Sequence, residues 1–498
     1  MRTLDLIVLV GYLLGVVSLG VWIGRRKSTS DEFMAAGRRI PAWAVGLSIF
    51  ATYVSSISFI ALPGKAFAEN WSGWLFALSI PPAAFLAARY FVPFYRRSGQ
   101  LSCYEHLEHR FGPWARLYAV GCYLLTQVLR TGAILYLLSL ALAPLTGFDM
   151  LTLILLTGVA VVVYTLIGGM EAVIWTDVVQ SIVFLVGAIA VVVVIFTGMP
   201  EGPGQVFDIA ANNQKFSLGN WEPDVTAPSA WWILLFGLTI NLRNFGCDQS
   251  YVQRYHTAKT DRDAVHSVWV GALGYVPTAA LFFFIGTGLF AFYTANPDRG
   301  IDPTAVIEAK QGDQVFPRFI RDELPLGLTG LVVAAIFAAA QSTVSGSVAS
   351  SATLIFCDVY KRYINPHASD RVGVFVLRGS ALGFGIAGTG AALLMWQLNL
   401  DQSALDVWWR LEGVGTGAVL GLFLLGQLLP RVHRPGIVLG TIVGVLIIGW
   451  MALFPWTKDH PDAWRSPLHA SLATTFGTAA ILLIGGLLSI QFGKTQRT

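Results

Sequence analysis

What most constrains this chain is a repeated length: stretch after stretch of about 20 predominantly apolar residues, separated by short polar loops. Lipid offers no hydrogen-bond partner to backbone amide and carbonyl groups, so a segment crossing it must satisfy them internally, as a helix does. The expected spans are residues 4 to 23, 42 to 67, 74 to 95, 114 to 143, 149 to 168, 175 to 198, 230 to 247, 267 to 293, 327 to 357, 374 to 396, 404 to 430, 435 to 455 and 470 to 491. An all-α membrane protein of about thirteen spans follows. Composition removes the soluble alternative, because only 12% of residues are charged and 55% are hydrophobic, against about 25% charged in a soluble globular chain.

Charge gives the orientation. When the loops are assigned alternately to the two sides, one side collects Arg25, Arg26, Lys27, Arg38, Arg39, Arg96, Arg97, Arg110, Arg116, Arg254, Lys259, Arg262, Lys361, Arg362, Arg371, Arg431, Arg434, Lys494 and Arg497. By the positive-inside rule that side is the cytoplasm, which places the N-terminus outside and the C-terminus inside the inner membrane. The net charge of +4 therefore reports topology and not nucleic-acid binding. Cys103, Cys122, Cys247 and Cys357 fall within spans or on the cytoplasmic side, where thiols stay reduced. No catalytic constellation, zinc-ligand spacing or phosphate-binding loop is present, and no obligatory protein partner is indicated. His106 and His109 lack further ligands at metal spacing, and Phe282, Phe283, Phe284, Phe290 and Phe292 read as lipid-facing or core.

Two spans are not ordinary lipid-facing helices. The second carries Thr52, Tyr53, Ser55, Ser56 and Ser58 and then Pro63 and Gly64, and the seventh carries Asn241, Arg243, Asn244, Gly246 and Asp248. Interrupted helices at matching places in two halves point to a transporter site near the midplane, although small polar residues also serve close helix packing. The ninth span holds Gln341, Ser342, Thr343, Ser345 and Ser347. Neutral hydroxyls, together with carbonyls freed by a broken helix, can coordinate a bare monovalent cation; the alternative is back-bonding to the preceding turn. Arg130 stands about midway along its span, where a charge marks either a solute pathway or an internal ion pair. A planar guanidinium matches a carboxylate bidentately.

Three segments carry a resemblance. Ala339-Ala340-Gln341-Ser342-Thr343 with Thr353 to Lys361, Gly168 to Gln180, and Asp248 to Arg254 resemble motifs of the sodium/solute symporter family. The resemblance implies a LeuT-like inverted repeat of five plus five helices with broken first and sixth core helices. Residues 4 to 23 form an extra helix before the core, 42 to 198 and 230 to 430 form the two repeats, and 435 to 491 form two helices after it. It also implies sodium as the co-transported ion and no organic cofactor. The principal sodium site then comprises the hydroxyls of Ser342 and Thr343 and the carbonyls of Ala51, Val54 and Ala339. A second sodium in some members implies Asp177 and Ser345, but Gly346 offers no hydroxyl, so one sodium per cycle is expected. Asp177 also reads as a helix N-cap followed three residues later by Gln180.

Ser55 to Phe67 and Gln127 to Gly132 look like the matching segments of bacterial sodium-coupled sialic acid transporters. That implies a small anionic substrate whose carboxylate meets Arg130 and whose remaining groups meet Ser55 and Ser58. Asn244 and Phe245 are read as a cytoplasmic gate. Ala77 and Tyr53 depart from the sialic acid pattern and suggest a smaller or differently substituted acid; a neutral sugar or a monocarboxylate is the alternative. A solute sensor is disfavoured because only six residues follow Phe492, and a channel because the interrupted spans are paired.

Overall fold

The computed structural model describes residues 2–25, 29–223, 229–398, 418–429, 434–453, 466–469 and 472–492. Among them the chain is helical, with a single isolated β-bridge between Ile40 and Ala258. The main helices, besides short ones in the connecting loops, are α1 (Thr3–Gly24), α2 (Ala42–Tyr53), α3 (Ser56–Ala68), α4 (Trp71–Ser98), α5 (Pro113–Thr146), α6 (Met150–Thr197), α7 (Ala230–Cys247), α8 (Gln249–Thr257), α9 (Asp261–Ala295), α10 (Leu328–Leu354, continuing to Ile364), α11 (Asp370–Gln397), α12 (Ala418–Leu428), α13 (Arg434–Leu453) and α14 (Ala473–Phe492). Of the expected span 404 to 430, residues 404–417 and 430 lie outside the described residues, as do Arg26, Lys27, Arg431, Lys494 and Arg497 and the C-terminus.

Burial separates lipid-facing from central helices. In the most apolar window 17% of residues are buried in α1 but 94% in α10, so the helix with the hydroxyl run is the hub of the bundle. Around it pack α1, α5, α6 and α11.

The second expected span is broken. Its two halves, α2 and α3, meet at 55°. The backbone leaves the helix at Val54 with φ −88° and ψ 120°. Ser55 then restarts it by accepting the Ser58 amide on its hydroxyl, which satisfies one of the amides a helix start leaves without a partner. The other break has almost the same dihedrals: Asp248 has φ −89° and ψ 119° and caps α8 through the Ser250 amide. The first break joins α2 to α3 and the second joins α7 to α8, as paired elements of two repeats should.

The 48-residue α6 would be about 72 Å long as one rod, more than twice a hydrocarbon core of ~30 Å. It is not one rod. Gly169 takes φ 57° and ψ −159°, a conformation open essentially to glycine alone. A Cβ there would lie 2.6 Å from the Phe33 carbonyl oxygen. After the turn the helix climbs back toward the start of α10, where Gly187 packs against Ala335. The two halves match the separate spans expected at 149 to 168 and 175 to 198.

Loops between the long helices brace the broken helix. Lys215, buried in the loop after α6, donates to the carbonyls of Phe67 and Glu69 at 2.7 and 3.2 Å. A cation at a helix C-terminus complements the helix dipole. Burial lowers the Lys215 pKa to about 8. In the loop between α9 and α10, Phe316 stacks on Phe59 of α3 at 5.8 Å.

Three expectations need correction. Residues 249–257 are not a cytoplasmic loop but a half-helix buried along its whole length. Side-chain hydrogen bonds tie it into the bundle: Gln249 donates to the Leu101 carbonyl at 2.7 Å, and Gln253 to the Met34 carbonyl at 2.8 Å. Arg254 and Arg116, counted among the cytoplasmic loop charges, are buried at 0% and 5% exposure and held in ion pairs. Asp177 caps no helix, because the second half of α6 begins right after Gly169 and Asp177 lies in its interior.

Candidate functional site

At the first break five oxygen atoms converge. The Ser342 hydroxyl donates to the Ala51 carbonyl at 3.1 Å and to the Ala339 carbonyl at 3.3 Å. The Thr343 hydroxyl donates to the Val54 carbonyl at 3.1 Å and to the Ala339 carbonyl at 3.2 Å. These are the residues expected for the principal sodium, and the geometry has a local cause. Extended Val54 ends α2 and leaves the last carbonyls of that helix without intrahelical amide donors. Side-chain hydroxyls from α10 meet two of them. Ser342 and Thr343 are essentially inaccessible, at 0% and 1% exposure. A cation here would sit in low dielectric, among neutral oxygens of the hard type that hard cations prefer.

Beside this cluster lies a cavity of about 100 Å³. Its walls include Thr52, Tyr53, Ser55 and Ser58 from the broken helix, Arg130 and Ile134 from α5, Phe76 and Ala77 from α4, Ile240 and Asn244 from α7, Tyr251 from α8, and Tyr275, Ala279 and Phe283 from α9. The structure thus brings Ser55, Ser58 and Arg130 to one space. Arg130 donates to the Thr52 carbonyl at 3.3 Å, which ties it to the helix break. The N-terminus of α3 faces the same space, and the partial positive charge of a helix start adds to that of the guanidinium. An anion is favoured from both directions. Because the Ser55 oxygen accepts from the Ser58 amide, its own proton stays available to donate.

Asn244 and Phe245 sit on the α8 side. Phe245 stacks edge-on with Tyr53 and Tyr251 at 5.9 and 5.8 Å, and Asn244 accepts from Arg243 at 2.6 Å. The aromatic floor of Tyr53, Tyr251 and Tyr275 was missed as a site in the sequence. The signal was present at Tyr53, noted as a departure, but Tyr251 and Tyr275 are distant in sequence and look like core residues.

Asp177 is engaged through Oδ2, while its Oδ1 is buried with no hydrogen-bond partner among the described residues. Asp177 accepts from Ser48 at 2.5 Å and from Arg254 at 3.1 Å, while Ser345 donates to the Ser342 carbonyl at 3.1 Å within its own helix. A second polar network was also missed. Arg116 Nε donates to Asp358 at 2.5 Å, and its Nη1 to Glu108 at 2.8 Å; Glu108 accepts in turn from Arg362 at 2.5 Å. It joins the start of α5, the helix Glu105–Phe111 and the end of α10. Burial works to raise the Glu108 pKa, but the bonds from Arg116 and Arg362 prevail and hold it below the usual carboxylate range.

Comparison with known proteins gives a consistent family. The model of the sodium:solute symporter family matches residues 33–444. The sodium/sialic acid symporter of Proteus mirabilis is 33% identical over 450 residues, covering 89% of this chain and 88% of that protein. The sodium/sialic acid symporter of Aliivibrio fischeri is 32% identical, covering 98% and 94%. Among solved structures, the substrate-bound outward-open state of a sodium-coupled sialic acid symporter, described as revealing a novel sodium site, superposes with a TM-score of 0.88 at 29% identity over 98% of both chains.

Proposed function

Since the chain belongs to the sodium:solute symporter family, we propose that it is a sodium-driven importer of a small, carboxylate-bearing polar solute, sialic acid or a related sugar acid, working by alternating access. It is a multi-pass membrane transporter and not an enzyme. The observation that carries the reading is the contact between the five-oxygen cluster of Ala51, Val54, Ala339, Ser342 and Thr343 and the Arg130 cavity, through the single broken segment 51–55. Sodium binds at the cluster, orders the break and sets the walls of the cavity. Arg130 and the α3 N-terminus then take the carboxylate, and Ser55 and Ser58 bond the rest of the solute. Asn244 and Phe245 close the cytoplasmic side. The positive loops face the cytoplasm, so the protein lies in the inner membrane with its N-terminus outside.

One observation favours a second reading, a compact monocarboxylate. The walls include Phe76, Ala77, Ile240 and Phe283, which offer no polar side-chain partner to a polyhydroxylated solute. At about 100 Å³ the cavity is also well below the roughly 300–1,000 Å³ of drug-sized ligand pockets. Uptake into proteoliposomes decides the matter, with sialic acid, short monocarboxylates, hexoses and amino acids each driven by a sodium or a choline gradient. Sodium-driven uptake of an acid supports the proposal, and the preferred acid selects between the two readings. Uptake unaffected by replacing sodium overturns it.

A further inference from the structure

The starts of α2 and α9 stand side by side. The segments just ahead of them are joined by the bridge between Ile40 and Ala258, in which the Ile40 amide donates to the Thr257 carbonyl at 3.1 Å. Farther along, glycines press the two helices together: a Cβ at Gly46 would lie 2.5 Å from the Val270 Cβ, and one at Gly271 would lie 2.5 Å from Ile49 Cγ2. Between these contacts a groove of about 570 Å³ opens, with walls that include Trp43, Lys259, Asp263, His266, Trp269 and Val270. It faces away from the bundle, since Trp43 is 50% and Val270 38% exposed. At 35 residues α9 is about 52 Å long, against a hydrocarbon core of ~30 Å. Its charged first residues, Asp261, Arg262 and Asp263, place its start, and the groove with it, in the headgroup layer.

The groove is rich in donors and in positive charge. Among the described residues, the Lys259 ammonium, the His266 ring and the indole N–H groups of Trp43 and Trp269 have no hydrogen-bond partner. Asp261 is taken by Arg96 at 2.7 Å, and Asp263 accepts from the Thr260 hydroxyl at 2.8 Å. Lys259 and Arg262, both exposed, form no ion pair among the described residues, so two cations stand against Asp263 alone. We propose that this groove holds an anionic phospholipid, its phosphodiester between Lys259 and the indole N–H groups and an acyl chain along Trp269 and Val270. Phosphate oxygens accept from every one of these donors, and an interfacial indole offers an apolar face beside its N–H. A basic residue in the headgroup layer draws anionic lipid. A zwitterionic headgroup would bring a cation that Lys259 and Arg262 repel, and a soluble phosphate would leave the apolar walls in water. Because α2 runs from this groove to the break at Val54, the lipid grips the same helix that supplies the Ala51 carbonyl. The inference needs only a chain that spans a membrane and is independent of which ion and solute it carries.

The test titrates the full chain, purified in detergent and stripped of lipid, with dioleoylphosphatidylglycerol, dioleoylphosphatidylcholine or glycerol phosphate, and counts bound copies by native mass spectrometry. One copy of phosphatidylglycerol is expected to bind ahead of any phosphatidylcholine, and glycerol phosphate, which has no acyl chain, is expected not to bind. Lys259→Gln removes one charge at the headgroup level and should weaken that first site about fivefold while leaving phosphatidylcholine binding as it was. Trp43→Leu with Trp269→Leu keeps apolar walls but removes both indole donors, and should weaken the same site. Arg371→Gln removes an exposed charge at the start of α11, away from the groove, and should leave it unmoved. Phosphatidylcholine or glycerol phosphate binding as tightly as phosphatidylglycerol overturns the inference. So does a first site that Lys259→Gln leaves intact, or one that Arg371→Gln weakens as much, since the effect would then belong to the general surface charge.

Discussion

Thr343→Ala is the sharpest perturbation of the proposed sodium site. Thr343 contributes one of five converging oxygens, buried at 1% exposure, so water has no ready access to replace it. A hydrogen bond or ligand contact to a charged group is worth about 1.5–3 kcal/mol, and about 1.4 kcal/mol corresponds to a tenfold change in affinity. The sodium concentration for half-maximal uptake should therefore rise roughly 10- to 100-fold. Ser342→Ala should behave alike, while Thr343→Ser keeps the hydroxyl and should stay near wild type. A binding assay independent of transport is sodium-dependent thermal stabilisation. At a sodium concentration of about 100 times the wild-type dissociation constant the gain is about 2.7 kcal/mol, and a 100-fold weaker site leaves about 0.4 kcal/mol. Removing the hydroxyl also frees the Val54 carbonyl, so stability without sodium is measured separately as the reference. Unaltered sodium dependence in both alanine variants, with normal expression, would refute the site.

Further expectations concern three other positions. Arg130→Ala should abolish uptake of an acidic solute, and Arg130→Lys should restore it only in part because lysine lacks the bidentate fork; well-folded variants that still bind the acid would end the carboxylate assignment. His106, in the short helix Glu105–Phe111 between the long helices α4 and α5, has its pKa lowered from 6.5 to about 4 by burial and by the charges of Arg110 and His109. Between those pH values the unfolded chain binds the extra proton, so stability should fall as pH drops from about 6.5 to 4, by less than about 3 kcal/mol because the ring is partly exposed. His106→Gln should flatten this part of a thermal-stability pH profile, and an unchanged profile would show that the titration lies elsewhere. Gly169→Ala forces a side chain into a conformation that costs roughly 1–3 kcal/mol and into the Phe33 carbonyl. It should sharply reduce monodisperse protein in detergent, and a normal elution profile would contradict the assigned turn.

The spans were legible because lipid imposes a single requirement, and a run of about 20 apolar residues meets it. The first break was legible too, since Ser55, Ser56, Ser58, Pro63 and Gly64 interrupt an otherwise apolar helix. The second was harder. Gln249 to Thr257 is polar enough to read as a loop, and tertiary hydrogen bonds from Gln249 and Gln253 help make it a buried half-helix. Arg254 failed for the same reason: a sequence shows a charge but not its partner, and Asp177 lies 77 residues away. Asp177 followed by Gln180 has the local pattern of a cap, yet Gly169 starts that helix earlier, and capping depends on where the helix begins.

If the two proposed sites are right, coupling between them has a physical carrier. Residues 51 to 55 serve both sites at once: Ala51 and Val54 direct carbonyls to Ser342 and Thr343, while Thr52, Tyr53 and Ser55 line the Arg130 cavity. In an intact helix those carbonyls would be bonded to amides of the following turn and could not serve an ion; the break is what makes them available. On the proposed reading, a sodium ion at Ala51 and Val54 would fix dihedrals that also aim the intervening side chains. Arg130 closes the loop from the other side, because its bond to the Thr52 carbonyl positions the guanidinium relative to the same segment. In the proposed mechanism, a solute drawn to Arg130 would therefore favour the backbone arrangement that sodium favours. Linkage would then require each to raise the other's affinity by one common factor, carried by the last turn of α2 and the extended Val54 and Ser55 rather than by direct contact between ion and solute.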